Sequence, residues 1–318
     1  MRFKPVPRPA RSEDERSQSP DKSESRLRPP RSPRPARRPQ RAARSNDLQQ
    51  RPQRQRPSRR TRTRERIDFL ERKRQALDDI ATYRVVSVRD LVEQRFGGNA
   101  FAARKGIDSL KQDGLVHEKT VRTKSDKTFK VLVASDKGRR KAWGDRKNLD
   151  QRYWSGLAKA AEVRHDATVY RAARSEIAKL EKSGASVKRV QLDYELKARV
   201  SKAAEKARAK DGAEAAHLAK IEAARQMNLP VDAEGKIHYP DARIEYEDEQ
   251  GGPGRVDVEV TSGNYRSKSL QAKVSAGFKM YANGRDATQR LSSALGIREP
   301  KSGGGGGGAQ RDEELFEL

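Results

Sequence analysis

Residues 87–122 read SVRDLVEQRFGGNAFAARKGIDSLKQDGLVHEKTVR and carry the signals for two short helices and a strand. Ser87, with Asp90 three residues later, has the pattern of a helix cap in which each residue can bond the backbone of the other. A Gly-Gly pair ends that helix, and Asn99 is placed to cap a second helix. The spacing therefore predicts a second helix over residues 100–112.

The sequence around this stretch predicts one further helix before it, and a hairpin and a helix after it. Four apolar residues recur at helical spacing between residues 62 and 82, namely Ile67, Leu70, Leu77 and Ile80. Residues 115–122 and 128–134 read as the two strands of a hairpin, and another helix starts after Ser135. Three helices, a hairpin and a helix is the order of a winged helix-turn-helix domain, which we predict over residues 62–150.

The predicted helix 100–112 has one apolar stripe and one polar face. Ala103, Ile107 and Leu110 form the stripe. A helix that enters the major groove of DNA needs such a buried side and a polar side that reaches bases and phosphates. The candidate DNA-binding residues are Arg104, Lys105, Lys111 and Gln112 on the helix, and Arg122, Lys124 and Lys127 on the wing. A winged helix used for protein contacts is the alternative, but the charge favours double-stranded DNA as partner, ahead of RNA.

The charge of the chain is large and concentrated at its start. The 318 residues include 71 Lys and Arg against 45 Asp and Glu, a net charge of +26, and only 33% are hydrophobic. Residues 1–60 hold 19 Lys and Arg, 6 Asp and Glu, and 11 of the 15 prolines. Such a segment has little to bury, so residues 1–61 are predicted to be a disordered basic arm. The arm would bind phosphates in a salt-sensitive way or serve only as a solubilising tail.

Composition also excludes several classes of protein. No run of about 18 apolar residues is present, so a membrane span is not expected. The first residues lack the apolar core of a signal peptide, which predicts a cytoplasmic protein associated with the nucleoid or a plasmid. With no cysteine and four scattered histidines, neither disulfides nor a thiolate or histidine-rich metal site is expected.

Residues 151–290 are predicted to form a second, α/β domain, so that the chain is α+β as a whole. Its predicted elements are a helix from Arg164 to Leu180, a strand over 187–192, a long helical excursion over about 193–228, a hairpin of 239–246 with 255–261, and a helix over 268–281. The excursion contains Asp211-Gly212, so it is one helix or two.

The hairpin of this domain carries three carboxylates. Asp257 and Glu259 are two residues apart on one strand and so share a face. Asp241 lies at the start of the neighbouring strand, where its side chain could converge with them. Two converging carboxylates, here Asp241 and Glu259, can hold Mg²⁺, which takes oxygen ligands and stabilises charge on a phosphodiester.

Pro240-Asp241 followed by Glu259-Val260-Thr261 resembles the PD-(D/E)xK nuclease pattern on its αβββαβ core. Together with the winged helix and the His165-Asp166 helix start, the order resembles the replication-relaxation family of plasmid and conjugative-element proteins. The resemblance implies catalytic roles for Asp241 and Glu259. The chain has Thr261 where the nuclease pattern has Lys.

A lysine of the following helix could replace the missing one, and the candidates are Lys268, Lys273 and Lys279, with Lys273 preferred. The candidate catalytic set is therefore Asp241, Glu259 and Lys273. Two other interpretations stay open: the nuclease-like core is kept only as a binding scaffold, or the carboxylates belong to the exposed face of an ordinary strand. Taken together, these two are favoured over an active metal-dependent nuclease.

Residues 291–318 read as a linker and tail. Gly303 to Gly308 form a flexible spacer that leads to the acidic and apolar tip 312–318. The tip could dock a partner, fold back on the basic arm, or have no partner. The sequence thus predicts a bacterial DNA-binding protein of a mobile element, acting in plasmid replication, relaxation or mobilisation, with a relaxase or replication proteins as partners. An active Mg²⁺-dependent endonuclease and an adaptor that docks proteins through the tip are the alternatives.

Overall fold

The computed structural model describes residues 59–122, 128–157, 162–262, 267–296 and 315–317. These residues form an α+β fold with one sheet of three strands and one of five, within a single compact unit. The predicted basic arm up to residue 58, and the predicted wing residues Lys124 and Lys127, lie outside the described residues. Within the described part of the chain, no helix has the length and apolarity needed to span a membrane.

Among the described residues of the first half of the chain, four helices surround the small sheet. Its elements are α1 (Arg59–Tyr83), β1 (Val86–Ser87), α2 (Val88–Phe96), α3 (Ala100–Gln112), β2 (Val116–Arg122), β3 (Thr128–Ala134) and α4 (Asp136–Asp145). β2 and β3 form an antiparallel hairpin from Val116 opposite Ala134 to Arg122 opposite Thr128. β1 pairs with the other edge of β3, so the strand order is β1-β3-β2.

The predicted caps Ser87 and Asn99 are confirmed, but Asp90 bonds the side chain of Ser87 where the sequence predicted a bond to its backbone. The Ser87 hydroxyl oxygen accepts a 3.0 Å bond from the backbone N–H of Asp90 and donates a 2.6 Å bond to the Asp90 carboxylate. Asn99 accepts a 2.9 Å bond from the N–H of Ala102, which starts α3. These side chains satisfy backbone donors that the first helical turn leaves unpaired. The bounds predicted for α3 are therefore those observed.

The buried face predicted for α1 is correct in its second half and wrong in its first. Leu77 and Ile80 are buried, whereas Ile67 and Leu70 are 60% and 52% exposed. The helix also begins at Arg59, so the last residues assigned to the arm are helical. The core that α1 packs against begins at Ala76, and most of the helix before that residue is exposed.

A glycine in α4 allows close packing of this helix against Leu115, the residue that precedes β2. Ser135 caps α4 by accepting a bond from the N–H of Gly138. A Cβ atom at Gly138 would lie 1.9 Å from the carbonyl oxygen of Leu115. Only a residue without a side chain can therefore occupy position 138 with the observed backbone.

The second half of the chain is built on the five-stranded sheet. Its elements are α5 (Val163–Lys182), β4 (Ser186–Leu192), α6 (Asp193–Gln226), β5 (Ala242–Glu247), β6 (Pro253–Thr261), α7 (Ser267–Ser275), β7 (Lys279–Asn283), α8 (Arg285–Leu295) and β8 (Leu315–Glu317). The strand order is β4-β5-β6-β7-β8. β6 and β7 are parallel, and the other neighbours are antiparallel.

The helix predicted over residues 268–281 is wrong at its C-terminal end. α7 ends at Ser275, Gly277 has a φ of 81°, and Lys279–Asn283 is a strand. Met280 and Ala282 of β7 are buried with Leu270 and Leu291 of the flanking helices. A short continuous buried run that follows a glycine turn, here residues 280–282, is typical of a buried strand, and Lys279 lies on β7. The predicted boundary of the tail at residue 291 is also displaced, because α8 continues to Leu295.

The long excursion is two helical arms. Gly212 has a φ of 87° and a non-helical backbone within α6. Leu196 and Val200 of the first arm are buried in one cluster with Ala224 of the second arm. The two arms therefore fold back on each other near their ends, while the outer parts stay solvated.

A continuous core joins the two halves. Leu77 and Phe96 of the first half are buried in the same apolar cluster as Tyr170 and Ile177 of α5. A polar contact accompanies this packing, because the Tyr170 hydroxyl donates a 2.8 Å bond to the buried carboxylate of Asp79. The helices of the first half are thus held firmly against the second half.

Candidate functional site

The outward face of α3 presents an apolar and two basic side chains. Phe101 is 81% exposed, and the Arg104 side chain is 85% exposed. Lys105 is also exposed. Positions 101, 104 and 105 are three and four residues apart, so they lie on one face of the helix. The buried stripe predicted for this helix, Ala103, Ile107 and Leu110, is confirmed.

The basic side chains of this face are held only loosely. Arg104 is 3.8 Å from the carboxylate of Asp108, and the Lys105 ammonium lies 5.4 Å from the centre of the Phe69 ring. Exposed contacts of this kind contribute little to stability. Both cations can therefore turn toward a ligand at small cost.

The remaining candidates for DNA contact differ in their surroundings. The Lys111 ammonium donates a 2.9 Å bond to Glu118 of β2, which also receives a 2.7 Å bond from Lys130. Gln112 and Arg122 are exposed, at the end of α3 and at the end of β2. Lys111 is thus held by a closer ion pair within the protein than Arg104, whose nearest carboxylate is 3.8 Å away.

Sequence reasoning missed two features of this surface. Phe101 was not selected, although its position lies on the opposite side of the helix from Ala103, Ile107 and Leu110, and this spacing was visible in the sequence. The second feature is the start of α1, where four arginines are exposed: Arg60, Arg62, Arg64 and Arg66. Arginine density is considered only for the arm that ends at residue 61, so the arginines that follow on α1 are left out.

The carboxylates predicted from the second half lie next to basic groups. Asp241 Oδ1 is 3.2 Å from Nε2 of His165, the residue at the start of α5, and Oδ2 accepts a 2.8 Å bond from the N–H of Val260. His165 is half-buried, and the side chain of Asp241 is 13% exposed. Asp241 is thus held from both sides by α5 and β6.

Glu259 and Lys273 form a second pair. The Lys273 ammonium contacts Glu259 Oε1 and donates a 3.0 Å bond to the carbonyl oxygen of Tyr239. The Glu259 side chain is fully buried and that of Lys273 is 9% exposed. Of the three lysines considered for this role, Lys273 is the one that reaches Glu259, whereas Lys268 is 88% exposed near Glu234.

Asp257 does not join this group. Its carboxylate accepts bonds of 2.7 and 2.8 Å from the guanidinium of Arg243, the residue opposite it on β5. A bidentate pair of this type fixes both side chains in the sheet. Asp257 is thus a structural residue of the hairpin.

His165, Asp241, Glu259 and Lys273 form one cluster of charged side chains, and their protonation states follow from these contacts. Burial alone would lower the pKa of His165, but the hydrogen bond and the charge of Asp241 raise it to about 9. Burial raises the pKa of Asp241, but the bond and charge of His165, the charge of Lys273 and the bond from Val260 together hold that pKa below its ordinary value. Burial raises the pKa of the neighbouring Asp166 to about 6. Near neutral pH the cluster therefore contains an imidazolium facing a carboxylate.

These carboxylates do not fit a Mg²⁺ ion in the observed arrangement. Both oxygens of Asp241 are in contact with His165 and Val260, and Glu259 faces the Lys273 ammonium. Among the described residues, no group of three or more His, Asp or Glu side chains is arranged to hold a metal. A cation that bound Asp241 would have to displace the imidazolium of His165, whose charge this carboxylate already balances, at a cost in Coulomb energy.

Asp241, Glu259 and Lys273 also lie outside two shallow grooves of the described surface. One groove of about 520 Å³ is lined by Gln94, Arg171 and Lys182 among others, and one of about 430 Å³ lies along α8. Neither is lined by Asp241, Glu259 or Lys273.

Comparison of the chain with protein-family models, with curated proteins and with solved structures gave no match.

Proposed function

We propose that the protein binds double-stranded DNA through α3. The observation that supports this most directly is the exposed face of α3, where Arg104 and Lys105 lie beside Phe101. Arginine and lysine recognise guanine edges and phosphates in the major groove, and an apolar side chain can contact the methyl group of thymine. One face of α3 thus offers both kinds of contact.

The surrounding fold supports a winged helix-turn-helix domain. α2 and α3 are consecutive helices separated by three residues, and the β2–β3 hairpin follows α3 directly. In such a domain the second helix enters the major groove and the hairpin lies beside the backbone. Arg122 is exposed at the end of β2, and we assign it a phosphate contact there.

The exposed arginines at the start of α1 supply the part of the DNA affinity that does not depend on base sequence. Each phosphate neutralised by such a side chain releases counterions, which makes binding strong at low salt. With a net charge of +26, the chain is suited to a polyanion. We assign this surface and the preceding basic arm to non-specific affinity.

For the second half we propose a nuclease-like core that does not cut DNA. The elements α5, β4, β5, β6, α7 and β7 support this proposal, because with α6 as an insertion after β4 they follow the order αβββαβ. Asp241, Glu259 and Lys273 are the residues that the resemblance assigns to the active site of such a core, and here Asp241 is paired with His165 and Glu259 Oε1 with Lys273. Acting as a rigid scaffold, this half would serve plasmid replication, relaxation or mobilisation by positioning the DNA-binding half.

A mobility-shift titration of the full chain with duplex DNA, single-stranded DNA and duplex RNA at low salt tests the proposal. We expect the duplex DNA to bind most tightly and the supercoiled plasmid to stay intact with Mg²⁺ or Mn²⁺. Failure to bind duplex DNA would reject the first part of the proposal. Nicking that is lost in Asp241→Ala and in Glu259→Ala would reject the second part.

A further inference from the structure

Leu315–Glu317 form the outer strand, β8, of the five-stranded sheet. β8 runs antiparallel to β7, with Asn283 opposite Leu315, Ala282 opposite Phe316 and Tyr281 opposite Glu317. β7 is therefore covered on one side by β6 and on the other by the last residues of the chain. Without β8, the backbone of β7 would be an open edge.

An open strand edge is a template for another extended peptide. Unpaired N–H and C=O groups of such an edge accept an added strand, and many peptide-binding domains use this geometry. Met280, Tyr281 and Ala282 are buried, so β7 is packed into the core. An edge anchored in this way favours binding, because little additional order is imposed on the protein there.

The attachment of β8 depends on its tether. The strand has three residues, and residues 296–314 between it and α8 include six consecutive glycines. A three-residue strand gives few hydrogen bonds, but a short tether raises its effective concentration to the order of millimolar. The pairing is then stable within one chain and weak between separate molecules.

We propose that the outer edge of β7 is a peptide-docking site and that its occupant is the chain's own C-terminal strand, Leu315–Glu317. The ligand is an extended peptide of acidic and apolar residues, of the type Glu-Leu-Phe-Glu found at 314–317. While the strand is docked, the tip is withheld from other proteins. Binding of the tip elsewhere requires its release from β7.

A Phe316→Pro variant of the full chain tests the proposal, because proline removes a backbone donor and disfavours the strand. The probe is a synthetic peptide of residues 309–318, titrated into ¹⁵N-labelled protein. In the variant, we expect the peptide to shift the amide resonances of Lys279–Asn283 in a saturable way. In the unaltered chain, these shifts should need at least about tenfold more peptide, because the tethered strand competes.

Two controls separate docking from non-specific effects. A Gln310→Pro chain, altered outside β8, should behave like the unaltered chain, and a peptide with Pro in place of Phe316 should shift no β7 resonance. Equal response of the unaltered and Phe316→Pro chains, or no response in either, would overturn the proposal.

Hydrogen exchange in the unaltered chain gives a measurement that does not depend on the variant's folding. The backbone amides of Leu315–Glu317 should exchange more slowly than those of residues 310–313. Equal exchange rates in the two segments would also overturn the proposal.

Discussion

The ammonium group of Lys273 contacts the carboxylate of Glu259 where both side chains are buried, although Lys273 lies on α7 and Glu259 on β6. The helix thus supplies a charge that the strand lacks at Thr261. A buried pair of this kind contributes little net stability as a whole, but removal of one partner leaves an uncompensated charge. Lys273 is accordingly a residue on which the folded state of this half depends.

Replacement of Lys273 should therefore destabilise the protein. We expect Lys273→Met to lower the free energy of unfolding by about 3–5 kcal/mol, measured by chemical denaturation. Lys268→Met on the same helix is the matched control, because Lys268 is exposed and lies 3.4 Å from the exposed Glu234. The control should change stability by less than about 1 kcal/mol. Similar decreases in the two variants would show that the Glu259 pair is not compensating a buried charge.

A second prediction concerns the glycine that brings α4 close to Leu115. A methyl group at position 138 would overlap a backbone oxygen, so Gly138→Ala should lower stability by about 1–3 kcal/mol or more. Gly144 lies in the same helix with no atom within 4 Å of an added Cβ. Gly144→Ala should leave stability unchanged or raise it by up to about 1 kcal/mol. Thermal unfolding of the two variants checks this, and equal melting temperatures would contradict it.

The third prediction concerns protonation of His165. Its folded pKa of about 9 is above the ordinary value of 6.5, so the pair with Asp241 stabilises the fold fully below pH 6.5. That contribution is lost as the pH rises through 9. An NMR titration of His165 should give a midpoint near 9 in the unaltered chain and a lower midpoint in Asp241→Asn. A midpoint that does not move in this variant would rule out the proposed cause.

The fourth prediction concerns the exposed arginines of α1. Substitution of Arg62 and Arg64 by Gln should weaken binding to duplex DNA without regard to sequence. The slope of log K against log salt should fall by about 0.9 for each phosphate that the protein no longer neutralises. Lys202→Gln with Lys206→Gln, on exposed positions of α6, removes the same charge. An equal fall in slope for that pair would indicate an effect of net charge alone.

Local signals account for what the sequence predicted well. The Ser87 and Asn99 caps act within one helical turn, so α2 and α3 were placed with their correct ends. The exposure of Ile67 could not be seen, because it depends on where the neighbouring helices reach α1. β7 was taken for part of a helix, since its five residues become a strand by pairing with β6, which is distant in sequence.

For the candidate sites, too, local patterns in the sequence indicated individual residues but did not reveal contacts between distant segments. Arg104 and Lys105 were found from helical periodicity, and the choice of Lys273 over Lys268 and Lys279 agrees with its contact to Glu259. The pairing of Asp257 with Arg243 was missed, because it joins opposite positions of two strands whose register the sequence does not reveal. The contact between His165 and Asp241 likewise joins elements that are far apart in the chain.

Charge reversal on the exposed face of α3 is the sharpest test of whether this helix lies against duplex DNA. Fluorescence anisotropy at fixed salt should show that Arg104→Glu with Lys105→Glu weakens binding by at least about tenfold, which corresponds to about 1.4 kcal/mol. Arg208→Glu with Lys210→Glu on exposed positions of α6 makes the same change in net charge and should cost much less. Equal weakening by the two pairs, or unchanged affinity in the α3 variant, would contradict the claim.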